Sequence, residues 1–324
     1  MMRSDAQILL LDKRVVEQLL IPADVIAAVR EAFELHSARE GRVFPVVREK
    51  LSTGAIFGIK SGDVGCKGLL GFKAAGFWPG NRTLGGEAHQ ATVLLIDPTT
   101  GRPLCVIDGN AITTARTAAA GALGLGLLAR PDSTVVTVFG TGIQAKAQLD
   151  LTLGVLPALK RVYYVSGDRC RHAEFEALFS QRTELVCASD PDRAVFESDV
   201  VITATPGTGP LFDAAALKEG THLNCVGADT RGKRELPAGV LERAKVVADD
   251  LEQARELGEL QWGPGTSAVE LGDLLTRRAE YERAVADITV FDLTGLALQD
   301  LTVARLIYSR AHSLRLGTAI AWPW

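Results

Sequence analysis

In the stretch "AIFGIKSGD", residues 55–63, Lys60 closes an apolar, strand-like run with no acidic neighbour before Asp63. A lysine placed so either snorkels to water along its apolar stem or holds an anion. Four more charged residues stand where an apolar pattern does not call for them. Arg48 follows "FPVV", Lys73 sits within "LLGFKAAGFW", Arg116 within "TTARTAAA", and Asp229 ends the run "HLNCVGAD". Each has a plain reading as a solvated strand end or helix surface. Lys73 resists it most, because apolar residues flank it on both sides. Asp229 falls at the carboxyl end of an expected parallel strand, where ligands of doubly wound sheets bind.

A second cluster of chemistry lies in "VVTVFGTGIQAKAQ", which carries the pattern GxGxxA through Gly140, Gly142 and Ala145. It follows a strand pattern and opens a helix, the context in which such a loop cradles a dinucleotide. The first glycine permits the tight turn. The second lets the backbone approach a pyrophosphate resting on the helix N-terminus, and Ala145 lets helix and strand pack closely. The next strand, "RVYYVSGDRCRH", ends in Ser166 rather than in the acid that accepts from an NAD ribose, with Arg169 and Arg171 just beyond. A small hydroxyl with guanidinium groups suits a 2′-phosphate, so NADPH is expected over NADH. Asp168 becomes the ribose ligand if that strand runs two residues longer.

These residues need elements to hold them. Between 134 and 250, short β-branched runs alternate with helical patterns, which implies a doubly wound parallel sheet of the Rossmann type, α/β in class. Earlier in the chain, a helix near Ala23–His36 precedes apolar runs at "FPVVREKL", "AIFGIK", "LLGFKAAGFW", "ATVLLID" and "PLCVID". Gly, Pro and Asn separate them, as in an antiparallel or mixed sheet. "ITTARTAAAGALGLGLLAR" reads as a long helix leading into the nucleotide region, and "GLALQDLTVARLIYSRAHSL" as a final helix returning to the first domain. The expected division is an α+β substrate and dimerisation domain, 1–125 completed by 301–324, and a dinucleotide domain, 126–300.

Composition narrows the class further. A chain of 324 residues with 47% hydrophobic content can fill two cores. Its formal net charge of −4 argues against a nucleic-acid partner or an anionic membrane surface. No apolar run reads as approaching the roughly 20 residues of a membrane span. The first residues lack a signal-peptide pattern. Five scattered cysteines and five scattered histidines offer no paired metal-ligand spacing, so no metal is expected. The reading is a cytoplasmic globular protein with reduced thiols.

The blocks "GFKAAGFWPGN", "TTARTAAA", "VFGTGIQA", "HLNCVGADTRGKREL", "GELQ" and "VFDLTGLALQD" together resemble the ornithine cyclodeaminase/μ-crystallin family through nearly the whole chain. The resemblance implies a homodimer acting on a small-molecule imino acid with a nicotinamide cofactor. It makes Arg48, Lys73 and Arg116 binders of the substrate α-carboxylate, and Asp229 the group that exchanges a proton with the substrate nitrogen. Lys73 and Asp229 thus become the catalytic pair. Arg116, Gly140, Gly142, Ile143, Gln144, Ser166, Arg169, Thr205 and Val226 become cofactor contacts.

Cyclodeaminases of the family carry a glutamate near the position of Lys60, where it can receive the substrate's distal ammonium. A cation there would repel that ammonium and attract a second carboxylate. "FPVVRE", "FGIKSG" and "HQATV" are most similar to the iminosuccinate reductase branch, whose product is aspartate. His89 is a further candidate donor to the same substrate. The alternatives are an ornithine cyclodeaminase, a cyclic-ketimine (pyrroline-2-carboxylate) reductase, or a μ-crystallin-like ligand-binding protein without turnover.

Overall fold

The computed structural model describes residues 6–322. Strand β1 (Gln7–Leu11) and helices α1 (Lys13–Leu19) and α2 (Pro22–Ser37) come first. They are followed by β2 (Gly41–Val43), β3 (Val47–Lys50), β4 (Ile56–Val64), β5 (Leu69–Phe77), β6 (His89–Ile96) and β7 (Pro103–Asp108). After the long helix α3 (Gly109–Leu128), strands and helices alternate as β8 (Val135–Phe139), α4 (Ile143–Val155), β9 (Arg161–Val165), α5 (Ala173–Phe179), β10 (Glu184–Cys187), α6 (Pro191–Glu197), β11 (Val200–Thr203) and β12 (His222–Cys225). Then come α7 (Val240–Arg243), β13 (Ala244–Ala248), α8 (Leu251–Leu257), β14 (Ala268–Glu270), α9 (Leu271–Leu275) and β15 (Ile288–Asp292). Helix α10 (Ala297–Leu314) and β16 (Thr318–Ala321) complete the described chain. It divides into one unit running up to Arg116 and resuming at Leu296, and a second unit, Thr117–Gly295.

In the first unit the strands form a mixed sheet in the order β16-β1-β7-β6-β5-β4-β2, with β3 also paired to β4. Every pairing is antiparallel except β1 with β7. Helix α10 packs on this sheet against β4, β5 and β6, and against α2. Its approach depends on Gly71. A Cβ there would sit 2.9 Å from Leu301 Cδ2 and 2.4 Å from the Leu94 carbonyl oxygen. The sequence reading does not include β1 or β16: β1 is five residues long, and β16 is four residues with no buried face to give an alternating pattern.

The second unit is an eight-stranded sheet, β10-β9-β8-β11-β12-β15-β13-β14, parallel throughout. Strands β11, β12 and β15 are buried at every position. Alternate residues feed two cores: Val136, Val138, Val200 and Ile202 one, Phe139 and Val201 the other. That is the doubly wound arrangement, with its switch of strand order between β8 and β11.

Two boundaries differ from the sequence reading. Strand β12 stops at Cys225, so "VGAD" is loop and Asp229 stands four residues beyond the strand end. The units divide at Arg116/Thr117, inside α3, rather than at 125/126, and at Gly295/Leu296 rather than at 300/301. The reason is that α3 serves both units. Thr113 and Arg116 bond residues of the first, whereas the carbonyls of Thr117 and Gly121 accept from Gln148 and Asn224 of the second. Contrary to the expectation from the apolar runs, α3 at 20 residues reaches a membrane span's length and hydropathy. Most of it is buried in the fold, as in a core helix.

Candidate active site

The sheet of the first unit gathers the cations that stood out in the sequence. In strand β5 the side chains alternate, and Lys73 falls on the buried face with Leu69 and Gly71. Lys60 lies directly opposite Lys73 across the β4–β5 pair, and Arg48 lies opposite Gly58, two residues from Lys60. Facing residues share a face, so Arg48, Lys60 and Lys73 line the same side of the sheet. This is the side on which α10 packs.

Lys73 is 4% exposed. Its Nζ donates to Asp300 Oδ1 at 2.9 Å and lies 2.8 Å from Oδ2. A further bond runs to Thr113 Oγ1 at 3.1 Å. Arg116, also buried, donates from Nε to Asp300 Oδ1 at 3.2 Å and from a terminal nitrogen to Gln299 Oε1 at 3.0 Å. Asp300 and Gln299 had no role in the sequence reading. Their one signal is an acid and an amide inside the apolar run "GLALQDL".

The electrostatics follow from burial. Desolvation pulls the Lys73 ammonium down to about 7; the Asp300 charge opposes that, and Arg116 and Lys60 add to it. Burial works against the Asp300 carboxylate, but Lys73, Arg116 and Lys60 hold it below the usual range, as an anion. Three of these four residues are cationic, and two like charges directly opposite on neighbouring strands repel. Such a cluster suits an incoming anion. An added carboxylate would favour the charged form of Lys73.

His89 lies opposite Phe77 on the β5–β6 pair, four residues from Lys73 along β5 and therefore roughly 13 Å away at a strand's rise per residue. Its Nδ1 is 3.1 Å from Asn110 Oδ1, and Asn110 also donates to Glu87 and to the His89 carbonyl. This is a bonded histidine at the far end of the cationic face. It does not share the immediate surroundings of Lys73.

In the second unit, Gly140 directly follows β8 with φ at +101°, a conformation that strains any residue with a side chain. A Cβ there would also sit 2.6 Å from the Ala204 carbonyl oxygen. Gly142 caps α4, and a Cβ on it would meet nothing within 4 Å. Ala145 is fully buried under the helix, whereas Ile143 is exposed and Gln144 half-buried. An open glycine cradle at the N-terminus of a 13-residue helix, at the switch point of a parallel sheet, fits a dinucleotide pyrophosphate.

Strand β9 ends at Val165, so Ser166 opens the turn that follows. The Ser166 hydroxyl is buried and donates to the Cys170 carbonyl at 2.8 Å, which turns it into the loop. Arg171 is tied to Glu176 by two bonds, from Nε to Oε1 and from a terminal nitrogen to Oε2. Arg169 occupies the left-handed region at φ +58°. Asp168 is exposed; the Cys170 N–H, followed by His172 and Ser166, lowers its carboxyl to about 2.

Past β11, the Thr205 N–H and hydroxyl both donate to Glu235 Oε1, at 2.8 and 2.6 Å. Past β12, the Val226 N–H donates to the Thr203 carbonyl at 2.9 Å. Asp229 is partly exposed on this loop, with Lys233 Nζ 3.7 Å from its carboxylate and the Thr230 hydroxyl at 3.2 Å.

A parallel sheet with a glycine cradle at its switch point defines a dinucleotide-dependent enzyme of the Rossmann type, here carried with a cation-lined α+β unit. The profile of the ornithine cyclodeaminase/mu-crystallin family matches residues 6–315, and the chain belongs to that family. It is 33% identical to the alanine dehydrogenase of Archaeoglobus fulgidus, over 96% of this chain and 98% of that one. It is 32% identical to the iminosuccinate reductase of Paracoccus denitrificans, over 90% and 93%.

Among solved structures, an archaeal alanine dehydrogenase dimer with bound NAD superposes with a TM-score of 0.90 at 31% identity, covering 97% of this chain and 99% of that one. The Paracoccus denitrificans iminosuccinate reductase with NAD+ gives 0.86 at 30% identity, with 97% and 99% covered. The Thermococcus litoralis Δ1-pyrroline-2-carboxylate reductase with NADH and L-proline gives 0.87 at 26%, with 96% and 99% covered.

Proposed function

We propose that this chain reduces a dicarboxylic α-imino acid, iminosuccinate, to the amino acid aspartate. As a member of its family with relatives of this kind, it is an NAD(P)H-dependent imine reductase; the finer reading concerns the substrate and the choice of cofactor. The observation that carries the substrate is Lys60, directly opposite Lys73 on one sheet face and close enough for its charge to weigh on both Lys73 and Asp300. Unit charges about 4 Å apart interact by about 4 kcal/mol at an effective dielectric of 20, enough to decide the sign of the substrate's side chain. A cation in this place disfavours a distal ammonium, and with it the cyclodeaminase reaction.

In the proposed reaction the cofactor supplies hydride to the imine carbon. Gly140 and Gly142 leave room for its pyrophosphate at the N-terminus of α4. Arg48, Lys73 and Arg116 hold the α-carboxylate, which fixes the imine carbon in a reactive geometry. Lys60 holds the second carboxylate. Asp229 keeps the proton on the substrate nitrogen. For the cofactor, the sequence reading favours NADPH through Ser166 and Arg169. The inward Ser166 hydroxyl and the exposed Asp168 carboxylate support NADH instead, and NADH is our proposal. A homodimer is part of the same reading, after the archaeal relative.

A second reading has its own support: the alanine dehydrogenase match suggests reduction of a monocarboxylic imine, that of pyruvate. One substitution separates the two. Lys60→Met keeps much of the apolar stem. It should lower kcat/KM for iminosuccinate ten- to a hundred-fold, the worth of a charged hydrogen bond of about 1.5–3 kcal/mol, while sparing the pyruvate imine. Equal losses on both substrates would move Lys60 to the common α-carboxylate and sink the dicarboxylate assignment.

A further inference from the structure

A buried carboxylate in the second unit ties together the two loops that follow β11 and β12. Glu235 is 0% exposed, and its Oε1 accepts both the N–H of Thr205 at 2.8 Å and the Thr205 hydroxyl at 2.6 Å. Its other oxygen packs against Gly227, where a Cβ would stand only 2.2 Å from Oε2. The same oxygen is buried and meets no described donor in good hydrogen-bond geometry, although the buried Thr203 hydroxyl is near enough to favour the carboxylate's charged form. The main chain of Glu235 is itself fixed: its N–H donates to Glu259 Oε1 at 2.7 Å, and its carbonyl accepts from Leu211 at 2.9 Å. This side chain therefore joins the main-chain bonds from Val226 and Gly227 to the Thr203 carbonyl in fixing the distance between Thr205, past the end of β11, and Gly227, past the end of β12.

Those two loops leave the carboxyl ends of adjacent parallel strands, the edge at which a doubly wound sheet binds its ligand. A carboxyl group is a costly choice for a purely packing role there. Neither Lys nor Arg bonds it among the described residues, and burial pushes its proton affinity up. An apolar side chain could fill the same space at less cost but would leave both Thr205 donors without their acceptor.

We propose that Glu235 is a positioning residue for the nicotinamide cofactor, holding the Thr205 and Val226–Gly227 loops in the separation that receives it. The inference deepens the dinucleotide reading and rests on it; it does not depend on which imine is reduced.

The test is NADH binding, followed by the quenching of protein fluorescence, together with steady-state kinetics on the full chain. Glu235→Gln keeps an acceptor oxygen for Thr205 and should hold the NADH Kd within about threefold of wild type. Glu235→Leu fills similar space without an acceptor. It should raise the Kd and the KM for NADH at least tenfold, with a smaller loss in kcat at saturating cofactor. Thr205→Val removes one of the two donors with little change in volume, and should raise the Kd at least threefold even where Glu235→Leu fails to fold.

Wild-type NADH affinity in Thr205→Val or in folded Glu235→Leu would overturn the proposal. Equal damage from Gln and Leu would do the same, because rescue by the acceptor is the signature of positioning. A wild-type chain that binds neither NADH nor NADPH would overturn the dinucleotide reading itself, and is told apart by that control.

Discussion

At the scale of single residues, the proposed chemistry turns on the buried Lys73–Asp300–Arg116 cluster. Lys73 was legible in the sequence because a charge between "LLGF" and "AAGFW" has no solvated face to occupy. Asp300 was not, because its partner lies 227 residues away and a helix pattern does not reveal which side chain it will meet. The pairing has a consequence for binding. With its ammonium lowered to about 7, chiefly by burial, Lys73 loses its proton as pH rises through neutrality, and a neutral amine attracts a carboxylate poorly. Inhibition by succinate, a dicarboxylate with no imine to hydrolyse, should therefore weaken above about pH 7, approaching tenfold per pH unit. Lys73→Arg should flatten that limb, since guanidinium stays charged. Asp300→Asn removes the charge that raises the lysine, so the limb should move to lower pH. A succinate Ki independent of pH between 6 and 9 in the unmodified chain would show that Lys73 titrates outside this range.

At the scale of elements, the parallel strands were readable from continuous β-branched runs and the glycine loop from its flanks. Strand ends were not. The apolar "VGA" after Cys225 looks like more of β12, yet Val226 and Gly227 both donate to the Thr203 carbonyl and leave the ladder. The turn after β9 shows why such ends matter for function. It closes on itself through Ser166, Cys170 and Asp168, leaving Asp168 and Arg169 as rival readers of the cofactor ribose. An exposed carboxylate accepts from a 2′-hydroxyl and repels a 2′-phosphate. We expect kcat/KM with NADH to exceed that with NADPH by ten-fold or more, and Asp168→Ser to erase most of the difference. A several-fold preference for NADPH that disappears in Arg169→Ala would return the ribose site to the guanidinium.

At the scale of the whole molecule, buried charge makes stability depend on pH in a way that composition alone does not suggest. The net charge of −4 is ordinary, and exposed Asp168 and half-buried Glu176, both lowered to about 2 by hydrogen bonds, stabilise the fold at neutral pH and lose that contribution as pH falls toward 2. The buried acids of the second unit act in the opposite sense. Desolvation lifts Glu259 to about 7, the main-chain N–H groups of Glu235 and Leu236 oppose the rise, and the Glu235 charge adds to it. Asp292, fully buried beside Glu259 and Asp249, is lifted as well.

A carboxyl whose folded pKa stands above its unfolded value holds its proton more tightly when folded. Its stabilisation is full below about 4.5 and is lost as pH rises through the folded value, here about 7. For Glu259 the span corresponds to about 3 kcal/mol, shared with its neighbours because interacting acids titrate together. The thermal midpoint should therefore fall by several degrees between pH 5 and pH 7.5. Glu259→Gln keeps a carbonyl oxygen for the N–H groups of Glu235 and Leu236 but has no proton to lose. The variant should show a flatter profile and overtake the unmodified chain at the alkaline end. If both chains lost the same number of degrees over this range, the destabilising charge would belong to other groups, and Glu259 would have to be ionised already at pH 5.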